Sequence, residues 1–414
     1  MSERTSASAV DYDPFSSNPF DRYEDLRTKC PVHHFDGFGE RGFYTLSRYD
    51  DVLDLFKNVD RWSGAEGQGP LHVREGGLRS DPPTHTIYRR LVTGAFTPRR
   101  IAAMAPLVEQ TARSLIDAME PAGATELVHS FASPMPVAVI AHVLGVPPKY
   151  RVGFRALSEN FMEAQNSADP EVLEAAKDPI YEIFRDEMND RRRLLANGAA
   201  VEGHDPPETT RVPDDLLTSL LVATHDGRPF TNDELLPLLL LLLVGGNETS
   251  TSLIANLVYR LLDLGEWDRV ANDPRLLDVT IEESLRFDPP VLGLFRTARG
   301  DQQVHGVTIP DGDKVHGLYA AANRDQTVWH DPERFNVDRD LKEAQRHLSF
   351  GAGIWYCPGA ALARLEARTS VQLLHASLRG LRIAGEADLE ARLITWGVRT
   401  LPVAWNATPD RGSA

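Results

Sequence analysis

The chain has 414 residues, 42% of them apolar and 25% charged, with 44 Lys and Arg against 60 Asp and Glu for a formal net charge of −16. That balance is ordinary for a globular protein and excludes wholesale disorder, and the length fits one large domain or two to three smaller ones. Two cysteines exclude a disulfide framework, and the acidity argues against nucleic acid or an anionic membrane as partner of the whole chain.

Met1 to Pro19 is polar, with no basic stretch leading into an apolar one, so no secretory signal is read there. The first 20 residues read as a loose arm. Gly42 to Arg48 alternates like a strand, and a helix follows near Tyr49 to Asn58. Residues 63 to 83 are rich in Gly and Pro and read as a long irregular loop. Helical patterns then dominate from His85 to Leu285, broken at Pro147-Pro148, at Asp169-Pro170 and over Asn197 to Pro213, where Asp205-Pro206-Pro207 marks a surface loop.

Thr231-Asn232-Asp233-Glu234 has the form of a capping box before an apolar run. A long core helix is predicted from there to about Leu264, stopped by Gly265 and kinked in its first turns by Pro237. Its most apolar run, Leu235 to Gly246, is twelve residues long. A membrane helix needs roughly 18, so the expectation is a soluble, cytoplasmic protein with reduced thiols. Val304 to Ile309 and Lys314 to Tyr319 read as strands joined in a hairpin by Pro310-Asp311-Gly312. A helix from about Ala360 to Leu378 and short strands near Arg382 and Arg399 to Trp405 close the chain. The fold class is mainly α with a minor β portion, in a single large domain.

Four constellations could carry chemistry. In Phe350-Gly351-Ala352-Gly353-Ile354-Trp355-Tyr356-Cys357-Pro358-Gly359, glycines crowd one cysteine and free the backbone for positive φ or close approach. A helix starts just after the sulfur, and its N-terminus favours a thiolate. With no second ligand at metal spacing, Cys357 is not part of a structural zinc site. It is a nucleophile, the single axial ligand of a metal held by a macrocycle, or an inert buried thiol. In Leu242-Leu243-Val244-Gly245-Gly246-Asn247-Glu248-Thr249-Ser250-Thr251, paired glycines and polar groups interrupt a core helix at a cost. An acid beside a hydroxyl relays protons into a dry site; the plainer reading is a kink with hydroxyls bonded to the preceding turn. The sequon Asn247-Glu248-Thr249 is set aside in a core helix without a signal peptide.

Glu283 and Arg286 lie three apart on a helix face and read as an ion pair. In Asp81-Pro82-Pro83-Thr84-His85-Thr86-Ile87-Tyr88-Arg89, His85 and Arg89 share a helix face; a solvated basic helix start is the bland alternative. Arg191 to Arg193 reads as a helix end, and Cys30 has no readable role.

The cysteine segment resembles the haem-binding loop of the cytochrome P-450 family, with Phe350, Gly351, Gly353, Cys357 and Gly359 at the family's spacings. The resemblance implies a cytochrome P-450 fold over residues 16–406, between a flexible arm at 1–15 and a tail at 407–414. It implies one haem b (iron protoporphyrin IX) with the Cys357 thiolate as axial ligand. Gly245 and Gly246 then let the cofactor approach the helix, Thr249 and Glu248 match the family's threonine and acid that handle dioxygen and its protons, and His85, Arg89 and Arg296 match its haem-propionate ligands. Glu283 and Arg286 would lock structurally with Arg334 of Pro332-Glu333-Arg334-Phe335. Trp355 departs from the pattern: bacterial members usually carry His or Arg there, on a propionate. A tryptophan offers only an indole N–H or packing against the haem edge.

The implied reaction is a monooxygenation that places one oxygen atom of dioxygen into an organic substrate, with two electrons and two protons. By position in the family, Val244, Val291, Leu292, Leu294 and Trp396 line the substrate pocket, with Phe161 and Met162 as weaker candidates. These are apolar, so the expected substrate is a hydrophobic small molecule: a steroid, terpenoid, aromatic or fatty acyl compound. An anionic substrate tethered by Arg74 or Arg79 would contradict that picture. Electrons are expected from a ferredoxin or flavodoxin-like donor with its NAD(P)H-dependent reductase, docked on a patch of Arg99, Arg100, Arg346, Arg364 and Arg368. Neither nucleic acid nor membrane insertion is expected. The rival readings are a hydrogen-peroxide-driven peroxygenase and a non-enzymatic haem-thiolate sensor or ligand carrier.

Overall fold

The computed structural model describes residues 10–74, 76–164, 169–198, 200–201 and 211–406. Residues 1–9 of the expected arm, the tail 407–414, most of the 197–213 loop and the Met162 side chain lie outside the described residues.

The helix Asn232–Asp263 organises the molecule. Its capping box forms as the sequence requires: Thr231 N–H donates to Glu234 Oε2 at 2.8 Å, and Glu234 N–H to Thr231 Oγ1 at 3.3 Å. Arg228 grips the same carboxylate with both terminal nitrogens. The helix runs unbroken past Pro237 and gives way at Gly265, whose φ of +69° suits glycine. Leu235, Leu236, Leu238, Leu239 and Leu240 are all buried. An all-round apolar surface requires cover on every side, supplied by helices Pro134–Val143, Pro170–Ala196 and Ala360–Ser377 among others. By length and composition this helix could cross a bilayer, but two thirds of its most apolar window is buried inside the protein. A Cβ on Gly246 would come within 2.8 Å of Ile140, so that glycine is required for helix packing.

The main sheet has five strands in the spatial order Val32–Phe35, Phe43–Leu46, Lys314–Gly317, Leu294–Ala298 and Trp62–Ser63. Lys314–Gly317 runs parallel to Phe43–Leu46, and the other neighbours are antiparallel. The expected hairpin between Val304 to Ile309 and Lys314 to Tyr319 does not form. Gln302–Val304 pairs with Val307–Ile309 instead, through a two-residue turn at His305 and Gly306, both with positive φ. Pro310-Asp311-Gly312 only redirects the chain, and Lys314–Gly317 enters the main sheet. The segment from residue 10 also differs from a loose arm. Val10 and Tyr12 are buried with Tyr23, Leu26, Leu292 and Trp396.

Beneath the helix Pro274–Phe287 lies a buried charge cluster. Glu283 and Arg286, both with fully buried side chains, form a bidentate pair at 2.7 and 2.8 Å. Arg286 also donates to the carbonyls of Asn323, Pro332 and Arg334. The second guanidinium on Glu283 belongs to Arg339, at 2.8 Å, and not to Arg334. Arg334 stands in the turn begun at Asp331 and supplies its carbonyl, while its side chain is exposed. Buried charges persist when paired and fully hydrogen-bonded; here the pairing fixes the 323–339 segment. Glu283→Ala strands two buried guanidiniums and should cost about 3–5 kcal/mol in unfolding free energy. Arg334→Ala, losing only an exposed side chain, should stay within about 0.5 kcal/mol. Denaturant unfolding of both variants compares the two arginine assignments.

Candidate active site

The cysteine loop is shaped by its glycines. Gly351 and Gly353 have φ of +71° and +63°, and a Cβ on Gly353 would lie 2.7 Å from the Phe56 carbonyl. Cys357 N–H donates to the Phe350 carbonyl at 2.8 Å, closing the loop. The helix Ala360–Ser377 starts immediately after it. Burial pushes the Cys357 thiol up, while the N–H groups of Gly359 and Ala360 and the charges of Arg89 and Arg364 work against that rise.

On the opposite wall runs the polar stretch of the central helix. Gly245 has open space where a Cβ would be. Thr249 Oγ1 donates to the Gly245 carbonyl at 2.6 Å, the back-bond expected of a helical threonine. Glu248 leans away toward Arg399, with Oε1 3.5 Å from its Nη1, and its Oε2 is buried without a partner. Burial raises the Glu248 pKa, opposed chiefly by Arg399 and Arg392.

Three cation-capable side chains close the remaining side. His85 and Arg89 come from the helix Thr84–Thr93, and Arg296 from the strand Leu294–Ala298. His85 is held down to about 4 by burial and by Arg89 and Arg296. Arg296 is fully buried, is pushed down to about 10 by that burial, and leaves its Nε unpartnered. None of the three forms an ion pair with a carboxylate among the described residues. Trp355 stands among them: its indole lies 4.3 Å from the Arg296 guanidinium, and its N–H donates to the Ser80 carbonyl at 3.4 Å.

Cys357, Gly245, Glu248, Thr249, His85, Arg89, Arg296 and Trp355 border one cavity of about 270 Å³. One thiol on its wall, uncompensated cations at its side and an open glycine opposite form a donor set that fits haem, whose propionates need cations and whose iron takes one soft axial ligand. The family model for cytochrome P450 matches residues 37–376. The chain belongs to the cytochrome P450 family.

Cytochrome P450 107B1 of Saccharopolyspora erythraea is 37% identical to this P450 over 414 residues, covering 94% of this chain and 96% of that one. 6-Deoxyerythronolide B hydroxylase of the same organism is 32% identical, over 96% and 99%. Among solved structures, the bacillaene polyketide synthase cytochrome P450 PksS of Bacillus subtilis 168 superposes with a TM-score of 0.83 at 28% identity, covering 96% of this chain and 100% of that one. CYP109E1 of Bacillus megaterium, solved with testosterone, gives 0.78 at 29%, over 94% and 99%. The protein is therefore a monooxygenase with the P450 fold.

Of the expected site residues, Val244, Gly245, Gly246, Glu248, Thr249, Val291 and Leu294 border the cavity together with His85, Arg89, Arg296, Phe350, Gly351, Trp355, Cys357 and Gly359. Leu292 and Trp396 do not. They point to the opposite face and pack with Val10 and Tyr23, and Phe20 meets the Trp396 ring edge-on at 4.8 Å. Val291 bridges Thr395, and it is Ile394 and Thr395 that face the cavity. Leu78, Phe96 and Ile140 line it as well and were missed. Phe161 is buried in the core without bordering the cavity. Arg79 borders it, whereas Arg74 is exposed and paired with Glu66.

Three of the five arginines of the expected patch are paired with carboxylates, while Arg99 and Arg346 are exposed. Arg364 chelates Glu282 at 2.5 and 2.7 Å, Arg368 pairs with Asp278, and Arg100 lies 3.7 Å from Asp214. Glu282 also accepts from His347 Nε2 at 3.2 Å, while His347 Nδ1 accepts the Ser349 N–H, so the imidazole is neutral. Burial alone would raise Glu282; the bonds from Arg364 and His347 overcome it and hold the carboxyl near 2. Its stabilisation is complete above the ordinary value of 4.5 and drains away as pH falls toward 2. His347, held below 6.5 by burial, loses its contribution in the same direction as pH falls. Between pH 5 and 3 the wild type should lose about 2 kcal/mol that Glu282→Gln does not. Acid unfolding followed by circular dichroism measures the difference in slope.

Proposed function

We propose that this P450 hydroxylates a largely apolar polycyclic or macrocyclic molecule of steroid or macrolactone size, through a haem bound by Cys357 and fed by a separate electron donor. The observation that carries the reading is the cavity itself, which sets Cys357 and the uncompensated cations apart from Thr249 and an aliphatic wall. The relatives support the substrate class: one is named for 6-deoxyerythronolide B, and one was solved with testosterone.

His85, Arg89 and Arg296 would hold the propionates, and Cys357 would give the iron its thiolate. The bound haem supplies the activation of dioxygen. The chain's own part is to position the substrate, exclude water and move protons. Leu78, Phe96, Val291 and Ile394 present hydrocarbon to the substrate and keep the site dry. Thr249 offers a hydroxyl fixed by its bond to Gly245. Glu248, the preceding residue, whose pKa burial raises, is the proton source behind it. Arg79, with Gln68 and Thr395, interrupts that aliphatic lining with polar groups.

For the electron donor, the cysteine side of the surface presents Ile354 and Tyr356, 36% and 40% exposed, with Arg89 and Arg90 sharing a groove with Ile354. Docking there combines apolar contact with these arginines, so the reduction rate should fall as ionic strength rises.

The reduced protein with carbon monoxide should show the red-shifted band of thiolate-ligated haem, and Cys357→Ala should lose it. A histidine-type band in the wild type would refute the ligand assignment. Thr249→Ala and Glu248→Gln should each lower donor-driven product formation by about 100-fold. Both should spare hydrogen-peroxide-driven turnover and the substrate-induced spectral shift. A panel of neutral steroids and macrolactones beside their carboxylated analogues, scored by that shift, tests the apolar class against an anionic substrate held by Arg79.

A further inference from the structure

The place where this chain departs from its family is Trp355, and its surroundings give it a task. Arg296 enters the cavity fully buried and spends one terminal nitrogen on the carbonyl of Phe295 at 2.7 Å. Its guanidinium is then sandwiched between two rings, 4.5 Å from the Phe56 centroid and 4.3 Å from that of Trp355. The Trp355 ring is itself confined. A Cβ on Gly64 would lie 3.1 Å from the indole, the indole N–H is committed to the Ser80 carbonyl, and the His85 ring stands edge-on at 6.1 Å. An indole presents its negative face to a cation and is the strongest of the aromatic partners for one.

We propose that Trp355 is the positioning residue of the propionate site: its ring fixes the plane of Arg296, and its N–H ties the cysteine loop to the segment that ends at Ser80. A cationic residue at this position would meet the anion itself. Trp355 acts through Arg296 instead, holding the guanidinium with its unpartnered Nε free for the anion. The tie also links the loop carrying Cys357 to the loop carrying Leu78 and Arg79, so a shift on the substrate side is transmitted to the cysteine side through one side chain.

This inference rests on the reading that the cavity binds haem, and the test separates the two. The measurement is the rate at which haem leaves the ferric holoprotein for an excess of apomyoglobin, for the wild type, Trp355→Ala, Trp355→Phe, Arg296→Ala and the Trp355→Ala/Arg296→Ala double variant. If the wild type takes up no haem, the functional reading itself fails. Given uptake, Trp355→Ala and Arg296→Ala should each speed haem loss by about tenfold or more. The double variant should be no faster than the Arg296 variant, because the indole acts through that arginine. Trp355→Phe, which keeps a ring face but no N–H, should recover most of the retention. It should also blunt the shift in haem reduction potential that substrate binding causes, since the tie to Ser80 is cut. Single effects that multiply in the double variant, or a Trp355→Ala variant that holds haem like the wild type, overturn the proposal. Unfolding curves of the five holoproteins show which variants remain folded, and Trp355→Phe alone tests the tie should the alanine variants fail to fold.

Discussion

One electrostatic constraint shapes this protein: a buried guanidinium, a half-buried second arginine and a buried imidazole border a single cavity, and among the described residues none of them is ion-paired with a carboxylate. An uncompensated buried charge costs several kcal/mol. The fold softens that cost at Arg296 with two aromatic faces, yet rings do not neutralise a cation. His85 responds by favouring its neutral form, and Arg296 is pushed down by burial. On the same cavity wall the Cys357 thiol is pushed the other way. Cations held below their ordinary range and a thiol held above its own share one cause, burial that disfavours the charged form of each. One ligand relieves both if it brings carboxylates to the cations and a metal to the sulfur.

The parts of this arrangement that were legible in the sequence are those where a local rule is obeyed or broken within a few residues. The capping box at Thr231, the glycines around Cys357, the polar break at Gly245 to Thr249, and the Glu283 to Arg286 spacing are all of that kind. The readings that failed concern which of several similar groups meets a distant partner. Arg334 and Arg339 are both arginines after the same proline, and only the turn at Asp331 decides that the first gives a carbonyl and the second its side chain. Leu292 and Trp396 are apolar like Val291 and Ile394, but an irregular bridge at Thr395 sends them to the other face. The arginines of the supposed docking patch are ordinary in sequence. The pairing of Arg364, Arg368 and Arg100 with Glu282, Asp278 and Asp214 is a tertiary fact that charge counting does not contain.

The stretch from 63 to 81 shows how a segment without regular structure can still be specified. Asp81 accepts from Ser63 Oγ at 2.5 Å and from Gly64 N–H at 2.8 Å, and pairs with Arg299, clamping both ends of the stretch to the sheet side. Lys314, buried and pushed down to about 7, donates to the carbonyls of Glu66 and Gly67 at 2.6 and 3.2 Å. Phe295 N–H donates to the Gln68 carbonyl at 3.0 Å, and Trp355 reaches Ser80. The anchors thus fall at 63–68 and 80–81. Between them lie Leu78 and Arg79, which face the substrate cavity, on a short turn preceded by two glycines of positive φ. Fixed ends leave the conformation of the middle to its own few residues. Substitutions at Leu78 and Arg79 should change what the cavity accepts and reach the cysteine loop only through the Trp355–Ser80 bond, whereas substitutions at the anchors should disturb Arg296 and that loop directly.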